Sequence, residues 1–363
     1  MNIKRHQSLS VFTLVMMITV SIDSIRNLSL AALFGPKLIF FFILGGLFFL
    51  LPTGIIAAEL TANHRQESGI YPWAKKAFGA HTGFFAIWLQ WVNTLVWYPT
   101  TLSFIAGSLI YTIAPQQAHS PAILTAVIIA TFWILTLINL RGFTASARFA
   151  STCAIIGLVI PLTMILGLTA YWVLSGHTVH IHFTQHNILP SFYSSQSWVS
   201  LVAIITSFLG MELISVHVDK VEQAEKRIPV AIIVSGIIIL ITMLAGSLAI
   251  AVVIPNHQIS LVTGIVEAFH TLLRAAHLLW LQPMIALLII VGALGSTINW
   301  IISPAQGLLQ ASQDGYIPAA LGFQNKFNVP SRLLILQAVL VTLSATAFFL
   351  LPSINASYWL LTD

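Results

Sequence analysis

Charged residues are scarce in this chain of 363 residues. Asp, Glu, Lys and Arg make up 7% of it and hydrophobic residues 58%, whereas soluble proteins carry about 25% charged residues. A water-soluble chain of this composition would leave too much apolar surface in water, so the composition predicts an integral membrane protein. The formal charge of +5 does not indicate nucleic-acid binding, because the basic residues are spread over short segments between apolar runs.

Cysteine and the common enzyme motifs are also lacking. The single cysteine, Cys153, cannot form a disulfide within the chain, so cysteine usage leaves the redox compartment open. The sequence contains no glycine-rich nucleotide loop, zinc-protease helix or nucleophile elbow. We therefore expect neither an enzyme nor an ATP-driven pump, and we predict no cofactor and no metal.

Long hydrophobic runs are what the chain has in abundance. A membrane-spanning helix needs about 20 apolar residues, and nine runs reach this length. They are residues 9–33, 38–60, 82–112, 121–140, 147–174, 197–217, 229–253, 279–309 and 332–351, and a tenth run begins at Ser357. Continuous runs favour helices over the alternating strands of a barrel, so we predict an all-α integral membrane fold with a single domain over residues 1–363.

Lysine and arginine positions predict the orientation. If the N-terminus is cytoplasmic, the outer loops hold only Lys37 and Arg274, and Arg26 lies inside the first span. The other 12 of the 15 basic residues fall at the inner side: Lys4, Arg5, Arg65, Lys75, Lys76, Arg141, Arg148, Lys220, Lys226, Arg227, Lys326 and Arg332. Such an excess is typical of cytoplasmic loops, so we predict a multi-pass protein of the cytoplasmic membrane with its N-terminus inside.

Two loops are longer than the others. Within the inner loop 61–79, the stretch Ile70–Phe78 predicts a short amphipathic helix lying along the membrane. The outer loop 175–196 contains His177, His180, His182 and His186. Histidines can sense acid or bind a metal, but their loose spacing, without a cysteine or carboxylate nearby, favours a solvated loop.

Two ionisable residues lie close together in the first run, where a charge is costly and needs a reason. Asp23 and Arg26 are three residues apart, so on a continuous helix they share a face and form an ion pair that fixes helix packing. We favour a second interpretation, in which the helix is broken here and the pair is presented to a solute. A third would start the span near Leu28 and place both residues at its edge.

Two glutamates lie in other spans. Glu212 follows Gly210, a residue that can leave helical geometry at little cost. Breaks at corresponding positions of two halves indicate a transporter site, and the first and sixth runs each begin a set of five. Glu212 can bind a substrate amine or a proton there, and the alternative is a structural carboxylate. Glu59, at the inner end of the second run, is predicted to be a gate or helix-end residue.

Aromatic residues suggest further walls of a cavity. Trp300 follows several small and polar residues, a composition that suits either a helix lining a cavity or close helix packing. Trp97 and Tyr98 in the third run have the same two interpretations.

Four segments carry a resemblance to a known family. They are 44–60 (LGGLFFLLPTGIIAAEL), 67–79 (ESGIYPWAKKAFG), 210–212 (GME) followed by 217–221 (HVDKV), and 299–308 (NWIISPAQGL). These segments resemble the amino acid–polyamine–organocation superfamily, especially its bacterial glutamate/GABA antiporter branch. The resemblance extends over nearly the whole chain, and it is more specific for the superfamily than for the branch.

The resemblance implies a LeuT-like fold of two inverted five-helix repeats, here about 9–174 and 197–363. It also implies transport of an amino acid or its amine derivative, by exchange or with proton coupling, through alternating access around broken helices 1 and 6. The substrate-binding breaks that the resemblance implies are residues 21–26 and 209–212, with Trp300 lining the site. The predicted substrate-binding residues are Ser21, Asp23, Ser24, Arg26, Gly210, Met211, Glu212 and Trp300, and we add Ser296, Trp97 and Tyr98 from the composition of their spans.

Departures from the family pattern leave other questions open. Ser296 stands where the branch has a glutamate, and Asp23 with Arg26 replaces its tyrosine-rich segment, so the substrate of the branch is not carried over. Family members usually have twelve spans, so we expect the second repeat to be incomplete. The alternative function is therefore a truncated membrane protein that does not transport, either a relic or a partner of a longer paralogue. A channel is a weaker alternative, and the oligomeric state is left open.

Overall fold

The computed structural model describes residues 9–63, 68–117, 120–190, 193, 195–259 and 264–346. No β-strand occurs among these residues. The α-helices are α1 (Val11–Ile22), α2 (Ile25–Ala32), α3 (Leu38–Gly45), α4 (Leu51–Asn63), α5 (Ile70–Phe78), α6 (Ala80–Ile113), α7 (Pro121–Asn139), α8 (Phe143–Ala154), α9 (Ile160–Leu174), α10 (Gln185–Ile188), α11 (Ser195–Ser207), α12 (Ala224–Val253), α13 (Gly264–Ala275), α14 (Gln282–Gln313) and α15 (Ser331–Ala345). Helices suit apolar runs because they pair their backbone groups internally.

Two pairs of these helices form continuous spans. The π-helical turn Gly46–Leu50 joins α3 to α4, and the π-helical turn Ile155–Val159 joins α8 to α9. Single π-turns of this kind keep the helical path while they change its hydrogen-bond spacing. The second and fifth predicted runs are therefore single spans.

Six helical stretches among the described residues are long and apolar enough to cross a membrane. They are Gly35–Asn63, Pro121–Asn139, Phe143–Leu174, Ser197–Val218, Ala224–Val253 and Leu279–Gln313. The third predicted run is α6, with 34 residues. Shorter apolar helices, α1 and α15, lie in the first and ninth runs. The all-α, multi-pass architecture is thus confirmed, while the predicted tenth run and the end of the ninth lie outside the described residues.

Two shorter helices lie between the spans. The predicted amphipathic helix is confirmed as α5, with the bounds expected from the sequence. The helix α13 was not predicted, and with 12 residues it is too short to cross the membrane. It buries one apolar face, including Phe269 and Leu272, and carries Glu267 and Arg274. The segment assigned to an outer loop is therefore partly a helix packed against α9 and α12.

α14 lies at the centre of the bundle, in contact with α1, α6, α7 and α8. It crosses the α8–α9 span at Gly157 and Gly292, where a Cβ added to Gly157 would lie 2.0 Å from the backbone nitrogen of Gly292. Backbones can approach this closely only where neither residue has a side chain. This crossing fixes α14 beside α1, about two turns of helix from Trp300.

The loops sort to two ends of the bundle. At the predicted inner end, the Nδ2 of Asn325 donates to the carbonyl oxygen of Leu140 at 2.7 Å, which joins the loop after α14 to the α7–α8 turn. At the other end, a cavity of about 240 Å³ is lined by residues of three predicted outer segments, among them Lys37, Asn187 and Asn256. These two predicted inner segments thus lie together, and so do these three outer segments, while the cytoplasmic assignment stays a prediction.

Candidate functional site

The first predicted run is broken between α1 and α2. Helix α1 ends at Ile22 and α2 begins at Ile25, and the ψ angles of Asp23 and Ser24 are 77° and 120°, far from the helical value near −42°. The break expected from the sequence is therefore present. The alternative of a continuous helix with Asp23 and Arg26 on one face is wrong, and the side chain of Arg26 lies outside the described part of the chain.

The break frees the backbone around Ser21. In a continuous helix, the carbonyl of Ser21 would accept from the N–H four residues later. Here it accepts from the indole Nε1 of Trp300 at 2.9 Å and from the hydroxyl of Ser296 at 3.3 Å. The amide Nδ2 of Asn299 donates to the Ser21 hydroxyl at 2.8 Å. One turn of α14 therefore holds the end of α1 in place.

A second break follows α11. Helix α11 ends at Ser207. Gly210, three residues later, has a φ of 120°, in the region that residues with a Cβ rarely adopt. A 3₁₀ segment, Met211–Lys220, then continues the chain. The break predicted at Gly210 is therefore present. It interrupts the sixth predicted run, just as the break after α1 interrupts the first predicted run.

The two breaks meet at Trp300. A Cβ on Gly210 would lie 3.0 Å from the ring of Trp300 and 3.2 Å from the side chain of Ile22. The ring of Trp97 lies 5.6 Å from that of Trp300, centroid to centroid. Trp300 thus hydrogen-bonds one break, packs on the other and faces a second indole on α6.

These elements enclose a central cavity of about 100 Å³, roughly the volume of three water molecules. We call it the central chamber. Its walls are Ser21, Ile22, Ser24, Asn27, Asn93, Thr94, Trp97, Thr206, Ser207, Leu209, Ser296 and Trp300. These wall residues are uncharged, and they offer hydroxyls, amides and two indole rings beside the N-terminus of α2, which contributes Ser24 and Asn27.

The chamber can recognise a small ion by dipoles instead of full charges. The N-terminus of a helix favours an anionic group, because its first N–H groups point outward. The faces of Trp97 and Trp300 can receive an ammonium group by cation–π attraction. Together these features suit a solute with both a carboxylate and an amine, or an amine alone.

Five of the residues predicted from sequence lie on the chamber wall: Ser21, Ser24, Trp97, Ser296 and Trp300. Gly210 borders a recess of about 10 Å³ next to it. The side chain of Met211 is buried and does not line the chamber. Its methyl group lies beside Gly54 on α4 and Gly236 on α12.

Asp23 lies in the first break but faces away from the chamber. Its side chain is 1% exposed, and its Oδ2 accepts a hydrogen bond from the hydroxyl of Thr242 on α12. Its Oδ1 has no hydrogen-bond partner in the structure. Burying a carboxyl group with a single hydrogen-bond donor is costly. Because Asp23 contacts α12 and not the chamber, its role in the structure is to pack α1 against α12.

Glu212 also lies off the chamber wall. It is the second residue of the 3₁₀ segment, is half-buried, and its Oε1 accepts from the Nε2 of Gln90 at 3.0 Å. This hydrogen bond ties the segment after the second break to α6, the helix that also supplies Trp97.

Tyr98 and Glu59 lie elsewhere. Tyr98 is fully buried, donates from its hydroxyl to the carbonyl of Trp300 at 2.6 Å, and packs 4.9 Å from the ring of Phe132. It therefore supports the chamber from behind. Glu59 is exposed near the end of α4, in keeping with a helix-end position.

Ile22 and Leu209, two further wall residues, lie inside the predicted breaks 21–26 and 209–212. Sequence reasoning missed five wall residues, which are Asn27, Asn93, Thr94, Thr206 and Ser207. Asn27 and Asn93 carried the clearest signal, since an asparagine inside an apolar run has the same need for a reason as a charge. The others are ordinary residues that only their distance from the breaks identifies.

The histidines of the outer loop do not form a metal site among the residues that the structure describes. His177, His180 and His182 are exposed, and His177 stacks on Trp172 with ring centroids 4.5 Å apart. Among the residues searched, no three His, Cys, Asp or Glu side chains converge as metal ligands would. The side chain of His186 lies outside the described residues.

A polar contact at the predicted inner end joins α5 to the end of α14. We call it the inner latch, and it consists of Tyr71, Lys75 and Asp314. The ammonium of Lys75 lies 2.5 Å from Oδ2 of Asp314, which also accepts from the hydroxyl of Tyr71. Hydrogen bonds from Lys75 and Tyr71 lower the pKa of Asp314. Burial and the bond to Asp314 raise the pKa of Tyr71, so the phenol stays a donor.

We expect Asp314→Asn to lower the free energy of unfolding by about 0.5–1 kcal/mol at neutral pH, because it removes the ion pair with Lys75. The effect is small since the side chains of Lys75 and Asp314 are 40% and 35% exposed and water screens their charges. The pKa of Asp314 is lowered by folding, so its contribution is present above the unfolded value of 3.8 and is lost as the pH falls through the folded value. Thermal unfolding of both proteins at pH 7 and at pH 3 measures this. A difference that grows on acidification would contradict it.

Comparison with known proteins gives a consistent result. The family model described as amino acid permease matches residues 9–363. An uncharacterised transporter of Legionella pneumophila is 38% identical over 355 residues, which cover 98% of this chain and 76% of that protein.

Two relatives bear more specific names. A glutamate/gamma-aminobutyrate antiporter of Lactococcus lactis is 32% identical over 310 residues, covering 84% of this chain and 62% of the antiporter. A probable agmatine/putrescine antiporter of Lactococcus lactis is 32% identical over 253 residues, covering 69% of this chain and 53% of that protein. This chain therefore matches less than two thirds of the length of either antiporter.

Proposed function

This chain belongs to the amino acid permease family, and from that premise we propose that it exchanges an amino acid for another amino acid or an amine derivative. The exchange takes place across the cytoplasmic membrane, with the N-terminus inside. The family match and the antiporter names of two relatives support exchange of such solutes. The distribution of Lys and Arg supports the orientation.

The substrate binds in the central chamber. Its carboxylate, where it has one, lies at the N-terminus of α2, and its amine lies against Trp97 and Trp300. The observation that carries this assignment is the double contact of Trp300, which hydrogen-bonds Ser21 at one break and packs on Gly210 at the other. A substrate in this position touches both interrupted helices at once.

Transport proceeds by alternating access. At about 100 Å³, the chamber is smaller than the roughly 300–1,000 Å³ of typical ligand pockets. The half-helices must therefore move apart to admit a solute, and the non-helical residues at each break are where φ and ψ can change. The two repeats, 9–174 and 197–363, are inverted copies in this proposal, and matching breaks in the first helix of each support it.

Glu212 serves as a coupling residue at the second break, where it binds a substrate amine or a proton, and Glu59 serves as a residue of the inner gate. We expect Glu212→Gln to lower exchange at least about tenfold, equivalent to about 1.4 kcal/mol. Glutamine keeps the side-chain size and can still accept the hydrogen bond from Gln90, so the variant removes the ionisable carboxyl group. Exchange and thermal unfolding of the purified variant are the measurements. Unchanged exchange would assign Glu212 a purely structural role.

A ligand panel tests the substrate class. A ligand that binds only the folded state stabilises it by about 2.7 kcal/mol when its concentration is a hundred times its Kd. Thermal unfolding of the purified protein is therefore measured in the presence of single amino acids and their decarboxylated amines. We expect concentration-dependent stabilisation by a small subset of the panel. If no member of the panel changes the melting temperature of a folded sample at millimolar concentration, the proposed substrate class is wrong.

A further inference from the structure

An open cavity lies beside the inner latch, far from the central chamber. Its volume is about 420 Å³, and we call it the latch pocket. Its walls come from the amphipathic helix α5 and the last turn of α14, and they are Tyr71, Pro72, Lys75, Lys76, Gln310, Gln313 and Asp314. None of these residues has a role in the exchange proposed above.

Basic side chains outnumber acidic ones among the described wall residues of the latch pocket. Lys75 and Lys76 bring two ammonium groups, and Asp314 brings one carboxylate, which accepts from Lys75 and Tyr71. A phosphate group is the natural complement of such a wall, because lysines bind it as point charges.

Gln310 stabilises one edge of the latch pocket. Its Nε2 donates to the carbonyl of Ser68 at 3.2 Å. This hydrogen bond ties the end of α14 to the residues just before α5, so the two helices that form the pocket are held together at this edge.

The pocket lies at the level of a membrane surface. α5 directly precedes the long helix α6, and Phe78 at its end is 75% exposed. Phe85 and Leu89, on the first turns of α6, are exposed apolar side chains of the kind that face lipid. An amphipathic helix in such a position lies among lipid headgroups.

We propose that the latch pocket binds the glycerol-phosphate headgroup of an anionic phospholipid. The phosphate lies between Lys75 and Lys76, and the acyl chains lie along the exposed apolar side chains of α6, such as Phe85 and Leu89. A free phosphate ion shares the charge of this headgroup, but it has no acyl chains to lie along α6.

Binding has a consequence for transport, and this step rests on the proposed function. Because Lys75 both lines the pocket and holds Asp314, a bound phosphate competes with Asp314 for its ammonium group. The headgroup therefore weakens the inner latch and eases separation of α5 from α14. Anionic lipid raises the exchange rate by this route.

Binding is tested without transport. Purified protein in detergent is titrated with phosphatidylglycerol, phosphatidylcholine or inorganic phosphate, and the shift in melting temperature is recorded. We expect saturable stabilisation by phosphatidylglycerol alone. Lys76→Gln, which leaves the latch intact, should weaken it about fivefold, the factor expected when one lysine near an anionic surface is lost. Lys326→Gln, a lysine of the same predicted side outside the pocket, should bind as the wild type does.

Three results would overturn the proposal. They are equal stabilisation by phosphatidylcholine, unchanged binding by Lys76→Gln, and equal stabilisation by inorganic phosphate, which would make the pocket a site for a soluble anion. Exchange is then compared in vesicles with and without phosphatidylglycerol, and we expect faster exchange with it. If no vesicle shows exchange while the lipid still binds in detergent, the proposed function fails and the lipid site stands.

Discussion

Trp300→Ala lowers exchange about a hundredfold, a loss of about 2.7 kcal/mol of transition-state stabilisation, while the protein still inserts and folds. The change removes the hydrogen bond from Nε1 to the carbonyl of Ser21 and the ring that packs on Gly210. It also removes the partner of Trp97 at 5.6 Å, so the wall expected to hold the amine is lost. Counting labelled solute retained by proteoliposomes measures the rate.

Two controls separate the roles of the ring. Trp300→Phe keeps an aromatic face but loses the hydrogen bond to Ser21, which is worth about 1 kcal/mol, and part of the ring surface that packs on Gly210. Its loss of exchange should therefore be at least about fivefold, but smaller than that of Trp300→Ala. Trp280→Ala removes a tryptophan that is 74% exposed at the end of a span, and it should exchange as the wild type does. Equal losses in Trp300→Ala and Trp280→Ala would mean that the chamber is not the transport site.

Gly157→Ala prevents normal folding or lowers stability by more than about 3 kcal/mol, the upper end of ordinary overpacking. The added Cβ would lie 2.0 Å from the backbone nitrogen of Gly292, and a backbone atom cannot move aside as a flexible side chain can. The α8–α9 span would have to separate from α14, which positions Ser296 and Trp300. Yield of monodisperse protein and its melting temperature report the effect.

Gly167→Ala is the matched control. Gly167 lies on α9, in the same span, and a Cβ added there meets no atom within 4 Å. Alanine favours helix more than glycine does, so this variant should be at least as stable as the wild type. If both variants behaved alike, the close crossing of the two spans would carry no special weight.

The spans and the breaks were predictable from the sequence for definite physical reasons. Apolar runs of about 20 residues leave the backbone in lipid with one choice of structure, so the helices followed from length alone. The break after Gly210 followed from the freedom of glycine at positive φ, and the break at Asp23 from the cost of a charge inside an unbroken span.

The contacts of individual side chains were less predictable. Asp23 lies in the expected break, but only the structure shows that it turns toward Thr242 on α12 and away from the chamber. Tyr98, next to Trp97 in sequence, does not line the chamber; its hydroxyl donates to the backbone carbonyl of Trp300 and its ring packs on Phe132. Neighbours on a helix face directions about 100° apart, so adjacency in sequence does not predict a shared wall.

Short amphipathic helices were the elements that hydropathy alone predicted least well. Helix α13 buries Phe269 and Leu272 while it carries Glu267 and Arg274, and it lies between two predicted spans, in a segment that was assigned to an outer loop. α5 was recognised because its apolar and basic residues alternate with helical period over a short stretch. A search for helical period as well as for overall hydropathy would have identified both helices.

Exchange by the purified wild-type protein is the most direct test of the proposed transport through the central chamber. Proteoliposomes are loaded with each solute that stabilises the protein, and uptake of the labelled solute is followed with and without unlabelled solute inside. We expect uptake that requires the internal solute and that Trp300→Ala abolishes while Trp280→Ala retains it. Folded, correctly inserted wild-type protein that moves no amino acid or amine in this assay would contradict the assignment.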